Sequence, residues 1–388
     1  MRAGRYVNQP GGYRAFIPAP LPPEPPLHMD VELTGLLSEA DQAVGRLDGV
    51  ASMLPNPDLF VATYVRQEAV LSSQIEGTRS TLEDVLEFEA GAGESERPKD
   101  VEEVVNYVRA MNHGLRRLAE LPLCLRLIRE VHAELLSGVR GGERSPGEFR
   151  RTQNWIGPAN CTLATALFVP PPPHELMAPL GNLEQYLRDR ESLPTLIQCG
   201  LAHAQFETIH PFLDGNGRVG RLLITLLLCE RGILQRPLLY LSYYLKAHRA
   251  AYYDRLSAIR TEGDWEGWLR FFLGGVIEVS ENATETARLI LALREKDRAA
   301  ITAVSASASP GLLLLDLLFE QPIVTVNMVA ERLGCTFVTA GKTIHKLEEL
   351  SILREVSGQR RNRRYRYDRY LELFERQIAG GTEKWTSS

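Results

Sequence analysis

Twelve consecutive residues, His210-Pro-Phe-Leu-Asp-Gly-Asn-Gly-Arg-Val-Gly-Arg221, concentrate groups able to do chemistry. A helix is predicted to end near His210 and a strongly patterned one to begin near Arg218. The tight turn Asp214-Gly215-Asn216-Gly217 lies between them. Glycines let backbone N–H groups approach a ligand closely, and a helix N-terminus adds unsatisfied donors and the positive end of a dipole. Together these form a cradle for phosphate. Arg218 and Arg221 are three apart and share a helix face, where two guanidinium forks suit a polyphosphate. Asp214 is a hard oxygen ligand suited to Mg²⁺. His210, with an ordinary pKa of about 6.5, can take a proton from a hydroxyl when neutral. Base, metal ligand, anion nest and polyphosphate clamp are what phosphoryl-type transfer requires. A glycine-rich helix–loop–helix with surface arginines and a capping Asp is the plain structural alternative.

This segment resembles the signature HPFx[DE]GNGRxxR of the Fic family of AMP transferases, and every fixed position is met. The resemblance extends to Arg144-Ser-Pro-Gly-Glu-Phe-Arg-Arg-Thr-Gln-Asn-Trp-Ile-Gly157, to Phe168-Val-Pro-Pro-Pro-Pro173 and to the Pro-rich lead-in, and spans most of residues 1–280. It implies transfer of AMP from ATP to a Tyr, Thr or Ser hydroxyl of a protein, with release of pyrophosphate. His210 would be the general base. Asp214 would hold Mg²⁺ between the α- and β-phosphates. Asn216 and the Gly215–Gly217 amides would hold the α-phosphate, Arg218 the β-phosphate and Arg221 the γ-phosphate, with Val219 and Gly220 in the same ATP-binding turn. Leu167, Phe168 and Val169 would form a flap whose edge adds a target peptide as a strand; a structural proline turn explains the same residues. Tyr252, Tyr253 and Tyr243 would lie near the adenine or ribose, and aromatic core packing accounts for them equally well.

A second motif, Ser72-Ser-Gln-Ile-Glu76-Gly77, resembles the same family's inhibitory motif [ST]xxxE[GN]. A Glu76 carboxylate set against Arg221 would occupy the fork the γ-phosphate needs. ATP held with its α-phosphate misaligned would then react slowly. Some family members use this Glu to remove AMP, and the sequence leaves that alternative open.

Positioning these groups falls to a mainly α-helical scaffold. Spacing predicts a helix over Asp58–Ile75 ending at Gly77, a capping box at Ser80-Thr-Leu-Glu83, a loop over 91–98, and helices carrying Val101–Leu115 and Leu125–Leu136. Leu167-Phe-Val169 before four prolines reads as an edge strand or small hairpin. Helical stripes recur at Ile197–Phe206, Val219–Leu227 and Tyr252–Phe272, with a break at Gly263. The divisions expected are a lead-in over 1–30 that packs on the body, an N-terminal helical region over 31–100 carrying the inhibitory helix, and a Fic catalytic core over 101–280. A connecting helix and small-residue linker over 281–310 lead to a winged helix-turn-helix over 311–388. Six prolines among the nine residues from Pro18 to Pro26 favour an extended path. In the C-terminal unit the second helix of the pair would present Thr336, Thr339, Lys342, Thr343 and Lys346 to DNA, and Gln359-Arg-Arg-Asn-Arg-Arg364 would grip phosphates. Protein binding or dimerisation by the same unit is the alternative, and Glu348-Glu349 weakens a groove-binding face.

Composition bounds these readings. The 388 residues carry 44 Lys+Arg against 49 Asp+Glu, a formal charge of −5, which excludes a chain-wide basic footprint. An apolar share of 44% excludes wholesale disorder. No apolar run is long enough to span a bilayer, and MRAGRYVNQPGG has no apolar leader core, so a cytoplasmic protein is expected. The scattered Cys124, Cys161, Cys199, Cys229 and Cys335 form no CxxC, so inert thiols are expected rather than a disulfide framework or zinc site. The leading expectation is an autoinhibited adenylyltransferase using Mg²⁺ and ATP on itself or a protein target, with a homodimer as a reasonable state. The alternatives are a nucleotide-sensing DNA-binding regulator, an enzyme that also removes AMP, and transfer of UMP, phosphate or phosphocholine.

Overall fold

The computed structural model describes residues 2–52, 57–91, 100–139, 141–158, 160–304, 309–359 and 362–374. The lead-in carries regular structure before its proline run. It forms an antiparallel hairpin, β1 (Gly4–Asn8) and β2 (Arg14–Pro18), with Gly4 opposite Pro18. Ala15 and Phe16 point to opposite faces of β2 and both are buried, so the strand is covered on both sides there. Phe16 is fully buried, and Ala19 and the Gln205 side-chain amide join the hairpin's base to the body.

The body is a helical bundle: α1 (Val31–Ser52), α2 (Pro57–Ile75), α3 (Leu82–Glu89), α4 (Val101–Arg117), α5 (Leu125–Leu135), α6 (Met177–Arg188), α7 (Thr195–Ile209), α8 (Asn216–Glu230), α9 (Ser242–Ala247), α10 (Arg249–Glu262) and α11 (Trp265–Val304). α7 is buried from Leu196 to Ile209. A helix buried around its whole circumference belongs at the centre of a core, and α8 packs beside it, with Leu222, Leu223, Leu226 and Leu227 buried.

The capping box falls one residue later than expected. Thr81 caps α3 and Asp84 reaches back to the Thr81 N–H at 2.7 Å, because the Ser80 hydroxyl is taken by Asp100 at 2.5 Å. Gly91 is described, but the rest of the predicted loop, residues 92–98, lies outside the described residues. α10 ends at Gly263, left-handed at φ 76°, as the break anticipated. The expected connecting helix is not separate: α11 runs unbroken for 40 residues through the expected boundary at 280. Ala283, Ala287 and Ile290 carry its buried stripe across that point, so nothing in the packing interrupts it.

The C-terminal unit comprises α12 (Ser309–Glu320), β3 (Ile323–Thr325), α13 (Val326–Arg332), α14 (Phe337–Glu349), β4 (Arg354–Glu355) and β5 (Arg364–Arg366). Its sheet has three strands in the order β3-β5-β4, one more than sequence reading anticipated. The extra strand, Ile-Val-Thr, is too short for periodicity to mark. Residues 309 and 310, read as linker, already belong to α12, and 305–308 lie outside the described residues. Thr343 is buried, its hydroxyl turned back to the Thr339 carbonyl, and does not share the exposed face of Thr339, Lys342 and Lys346. Arg360 and Arg361 of the basic run lie outside the described residues.

This unit seats directly on α2 and α3. The Thr63 hydroxyl donates to the Phe319 carbonyl at 3.5 Å and Arg66 to the Glu320 carbonyl at 3.4 Å. The Tyr64 and Phe374 rings meet edge to face at 5.0 Å. Leu86 of α3 packs on Ile323 and Leu371, and Arg366 pairs with Glu83. No helix among the described residues is long and apolar enough to cross a membrane.

Candidate active site

The site lies where α7 gives way to α8. His210 ends α7 in the left-handed region at φ 49°, which turns the chain sharply into Pro211-Phe212. Asn216 closes the loop: its side chain accepts from the Phe212 N–H and donates to the Phe212 carbonyl, both at 2.8 Å. Asn216 therefore shapes the turn with the side chain that sequence reading aimed at phosphate. The Gly215 N–H is taken by the Asp214 carboxylate at 2.6 Å. Gly215 caps α8 at φ 76° with no side-chain acceptor, which leaves the opening N–H groups of α8 as anion donors. Val219 is 2% exposed and faces the core, and the Gly220 carbonyl meets the buried ring of His203 at 2.9 Å.

Both clamp arginines are buried and already partnered by carboxylates from other elements. Arg218 lies 3.4 Å from Glu103 of α4 and 3.7 Å from Asp214. Arg221 donates to the Ser72 hydroxyl at 2.8 Å, the Ser72 carbonyl at 2.9 Å and Glu76 at 2.7 Å. Glu76 sits just past the end of α2, and its carboxylate lies over Gly217. A Cβ added there would come within 2.3 Å of Glu76 Oε1. The acid thus covers the mouth of the anion cradle as well as the Arg221 fork. Burial alone would raise the Glu76 pKa; the Arg221 charge and hydrogen bond outweigh it, so the net shift is downward and the acid is ionised.

His210 is half-buried, and its pKa is pushed down to about 4, first by burial and next by the charge of Arg150. The imidazole is therefore neutral and able to accept a proton at physiological pH. Behind the loop, His132 stacks on Phe212 at 3.7 Å between ring centres. It accepts from the Gly147 N–H at Nδ1, so its proton sits on Nε2, which donates to the Asp214 carbonyl at 3.1 Å. Glu207, one turn before His210, is buried with Oε1 unpartnered and a pKa raised by burial to about 7. Asp214 keeps its side chain 35% exposed. A single hard carboxylate beside a phosphate nest fits Mg²⁺, which takes one or two carboxylates and fills its remaining positions with phosphate and water.

The flap residues separate. Leu167 is 77% exposed, whereas Phe168 and Val169 are buried. Phe168 bridges Ile156 and lies under the Arg260 guanidinium at 3.9 Å. The Val169 carbonyl is already taken by the Phe16 N–H of β2 at 2.9 Å. Tyr252 is 1% exposed and hydrogen-bonds His203 at 2.9 Å. Tyr243 lies in α9, where its electrostatic neighbour is Glu278 rather than the arginines. Tyr253 is 41% exposed and feels both Glu76 and Arg221, which makes it the tyrosine of the three that is open beside the site. Sequence reading assigned no role to Glu103, Arg150, Asn154, His132 and Glu207. Arg150 and Asn154 lie in the family-like segment Arg144–Gly157, which marked them without a role; no local motif marks the other three.

The Fic/DOC family N-terminal model matches residues 34–116 and the Fic/DOC family model residues 122–228. The chain is 34% identical over 151 residues to protein adenylyltransferase Fic of Aedes aegypti, which covers 38% of this chain and 27% of that one. It is 27% identical over 198 residues to a probable protein adenylyltransferase of Aquifex aeolicus, covering 50% of this chain and 56% of that one. The match to the Aedes protein thus spans about a quarter of that protein's length. Among solved structures, a Fic family protein from Desulfovibrio desulfuricans aligns over 88% of this chain and 97% of its own at 21% identity and a TM-score of 0.59. A Fic domain containing signaling protein from Bacteroides thetaiotaomicron aligns over 66% and 97% at 20% identity and a TM-score of 0.51. These two likenesses concern the fold.

Proposed function

Since the chain belongs to the Fic/DOC family, we propose that it is a protein adenylyltransferase held in check by its own Glu76. The observation that carries this reading is the state of Arg221: buried, on the anion-binding turn, and occupied by Ser72 and Glu76 of the α2 segment. In the reaction a protein Tyr, Thr or Ser oxygen attacks the α-phosphorus of ATP. An O–P bond forms, the bond from the α-phosphorus to the α–β bridging oxygen breaks, and pyrophosphate leaves. His210 takes the hydroxyl proton. The opening N–H groups of α8 hold phosphate oxygens, and Arg218 and Arg221 hold the β- and γ-phosphates once Glu76 has swung away. Asp214 is the residue that would hold Mg²⁺, which when bound neutralises phosphate charge. Leu167 is the flap residue left open to guide a target strand.

The test is intact-protein mass after incubation with ATP and Mg²⁺. AMP adducts are expected for Glu76→Gly, fewer for wild type, and none for Glu76→Gly with His210→Ala. No adduct on any of these, and none on supplied protein, would refute it.

We read the C-terminal unit as a winged helix-turn-helix, with Thr339, Lys342 and Lys346 exposed on α14. That exposed basic face supports the second reading, a DNA-binding regulator whose nucleotide site senses ATP. A regulator of that kind would bind ATP and DNA and leave no covalent adduct.

A further inference from the structure

Arg150 has no role in the phosphate chemistry above, yet it is the charged side chain most tightly built around the base. It is 4% exposed. Its guanidinium donates to the His210 carbonyl at 2.9 Å, the Pro171 carbonyl at 2.5 Å, the Ile209 carbonyl at 3.4 Å and the Thr152 carbonyl at 3.5 Å. Its own N–H donates to the Pro211 carbonyl at 2.9 Å. Asn154, four residues on, donates to the His210 carbonyl at 3.1 Å and the Phe212 carbonyl at 2.8 Å. The backbone on both sides of His210 is therefore gripped by one short segment, and that segment also holds the proline run behind the flap.

No ion pair to Arg150 occurs among the described residues, so this buried cation is satisfied by carbonyls alone. Burying an unpaired charge is costly, and apolar packing with a neutral donor would hold a turn more cheaply. From its place on the His210 carbonyl the charge also acts on the His210 ring. The other charged groups acting on that ring are Glu76 from the end of α2 and Arg260 from α10.

We propose, resting on the transferase reading above, that Arg150 is the positioning residue of the general base. Its fork fixes His210 in the left-handed turn and ties it to the flap, and its unpaired charge disfavours a proton on the imidazole. The two halves separate by substitution. Arg150→Lys keeps the charge and loses the fork; Arg150→Met loses both.

The first measurement is an NMR titration of the His210 ring, assigned by its loss in His210→Ala. It requires no turnover, so it still decides the charge half if the chain proves not to transfer AMP. In Arg150→Met the protonation constant of His210 is expected to rise about ten-fold, and in Arg150→Lys to stay within about two-fold. The second measurement is transfer in the Glu76→Gly background. Arg150→Lys is expected to lower kcat at least ten-fold while KM for ATP changes less than about three-fold, since misplacement of a base by fractions of an ångström costs rate rather than binding. If Arg150→Met does not fold, Asn154→Ala supplies the check on the grip, with a smaller kcat loss in the same direction. An unmoved His210 titration in folded Arg150→Met overturns the charge half. Full kcat in Arg150→Lys overturns the positioning half.

Discussion

Replacing Glu76 has an effect whose size follows from the contacts of Arg221. The guanidinium is 2% exposed and takes three bonds from the α2 segment, of which the Glu76 carboxylate supplies one at 2.7 Å. A γ-phosphate cannot share that fork with an ionised acid about 4 Å away, since two unit charges at that distance repel by about 4 kcal/mol near a protein surface. On the proposed reading ATP must therefore displace the carboxylate. A buried charge-assisted bond contributes about 1.5–3 kcal/mol. The carboxylate side is 36% exposed, and screening by water removes part of the Coulomb gain. A release of about 2–3 kcal/mol is the reasonable figure, which is about 30- to 160-fold in rate or in productive ATP affinity.

The substitution is structurally mild. Glu76 lies just beyond the last helical residue, Ile75, and Gly77 already turns the chain at φ 100°. Arg221 keeps both Ser72 bonds. The assay is initial-rate AMP incorporation with calorimetric ATP binding, for wild type, Glu76→Gly and Glu76→Gln. The Gln variant keeps the bulk and one acceptor but removes the charge, so it is expected between the two, about ten-fold above wild type. Equal rates and affinities in all three, with unchanged circular dichroism, would refute the reasoning. A rise in Gly with none in Gln would assign the brake to bulk rather than charge.

Three further outcomes follow from other contacts. Arg66 ties α2 to Glu89 and to the Glu320 carbonyl of the C-terminal unit; Arg66→Ala is expected to raise AMP incorporation several-fold in the otherwise wild-type chain and not at all in Glu76→Gly, and an equal rise in both would show that it does not act through the brake. Glu103→Gln leaves the buried Arg218 without its α4 carboxylate and is expected to lower unfolding free energy in urea by about 3 kcal/mol; a loss under about 0.5 kcal/mol would show the pair to be energetically idle. His132, His203 and His210 are each held at about 4 by burial, while Glu68 and Glu207 are held at about 7 by burial. Between about pH 4.5 and 6.5 the unfolded chain gains three protons at the histidines and loses two at the carboxylates relative to the folded one. Stability is therefore expected to rise with pH by about 1.4 kcal/mol per unit over that window, read from urea midpoints, and a falling slope would contradict these assignments.

The glycine-rich turn between α7 and α8 was legible in the sequence because its parts are contiguous: the glycines, His210, Asp214 and both arginines fall within twelve residues, and turn chemistry is local. The acid proposed to act as the brake was marked by a motif of six residues, Ser72 to Gly77. The helices were legible where apolar spacing ran for several turns, as in α8. What was not legible shares one physical cause. The partners of the turn come from elsewhere: Glu103 from 115 residues before Arg218, His132 from 82 before Asp214, Arg150 from 60 before His210. None has a spacing that marks it. Most act on the turn through a backbone group, so the residue contacted carries no signature of the contact. The hairpin of the lead-in was hidden by prolines that bias toward an extended path, although all of its strands but the last residue of β2, Pro18, precede them.

The same distinction explains why an arginine-rich turn needs so many long-range acids. On the proposed reading Arg218 and Arg221 meet a polyphosphate, and without an anion or an acid two buried guanidinium groups would stand unpaired at heavy cost. Glu103 and Glu76 each neutralise one. They are not equivalent. Glu103 is 6% exposed and sits in the first turn of α4, where a carboxylate suits the helix dipole. Glu76 is at the far end of α2, where the dipole disfavours it, and its side chain opens to water. The acid that can leave is the one that is exposed, misplaced on its helix and seated over the phosphate cradle. On the proposed reading, a brake must come off without unfolding the site it guards, and of the two pairings only that at Glu76 meets the condition.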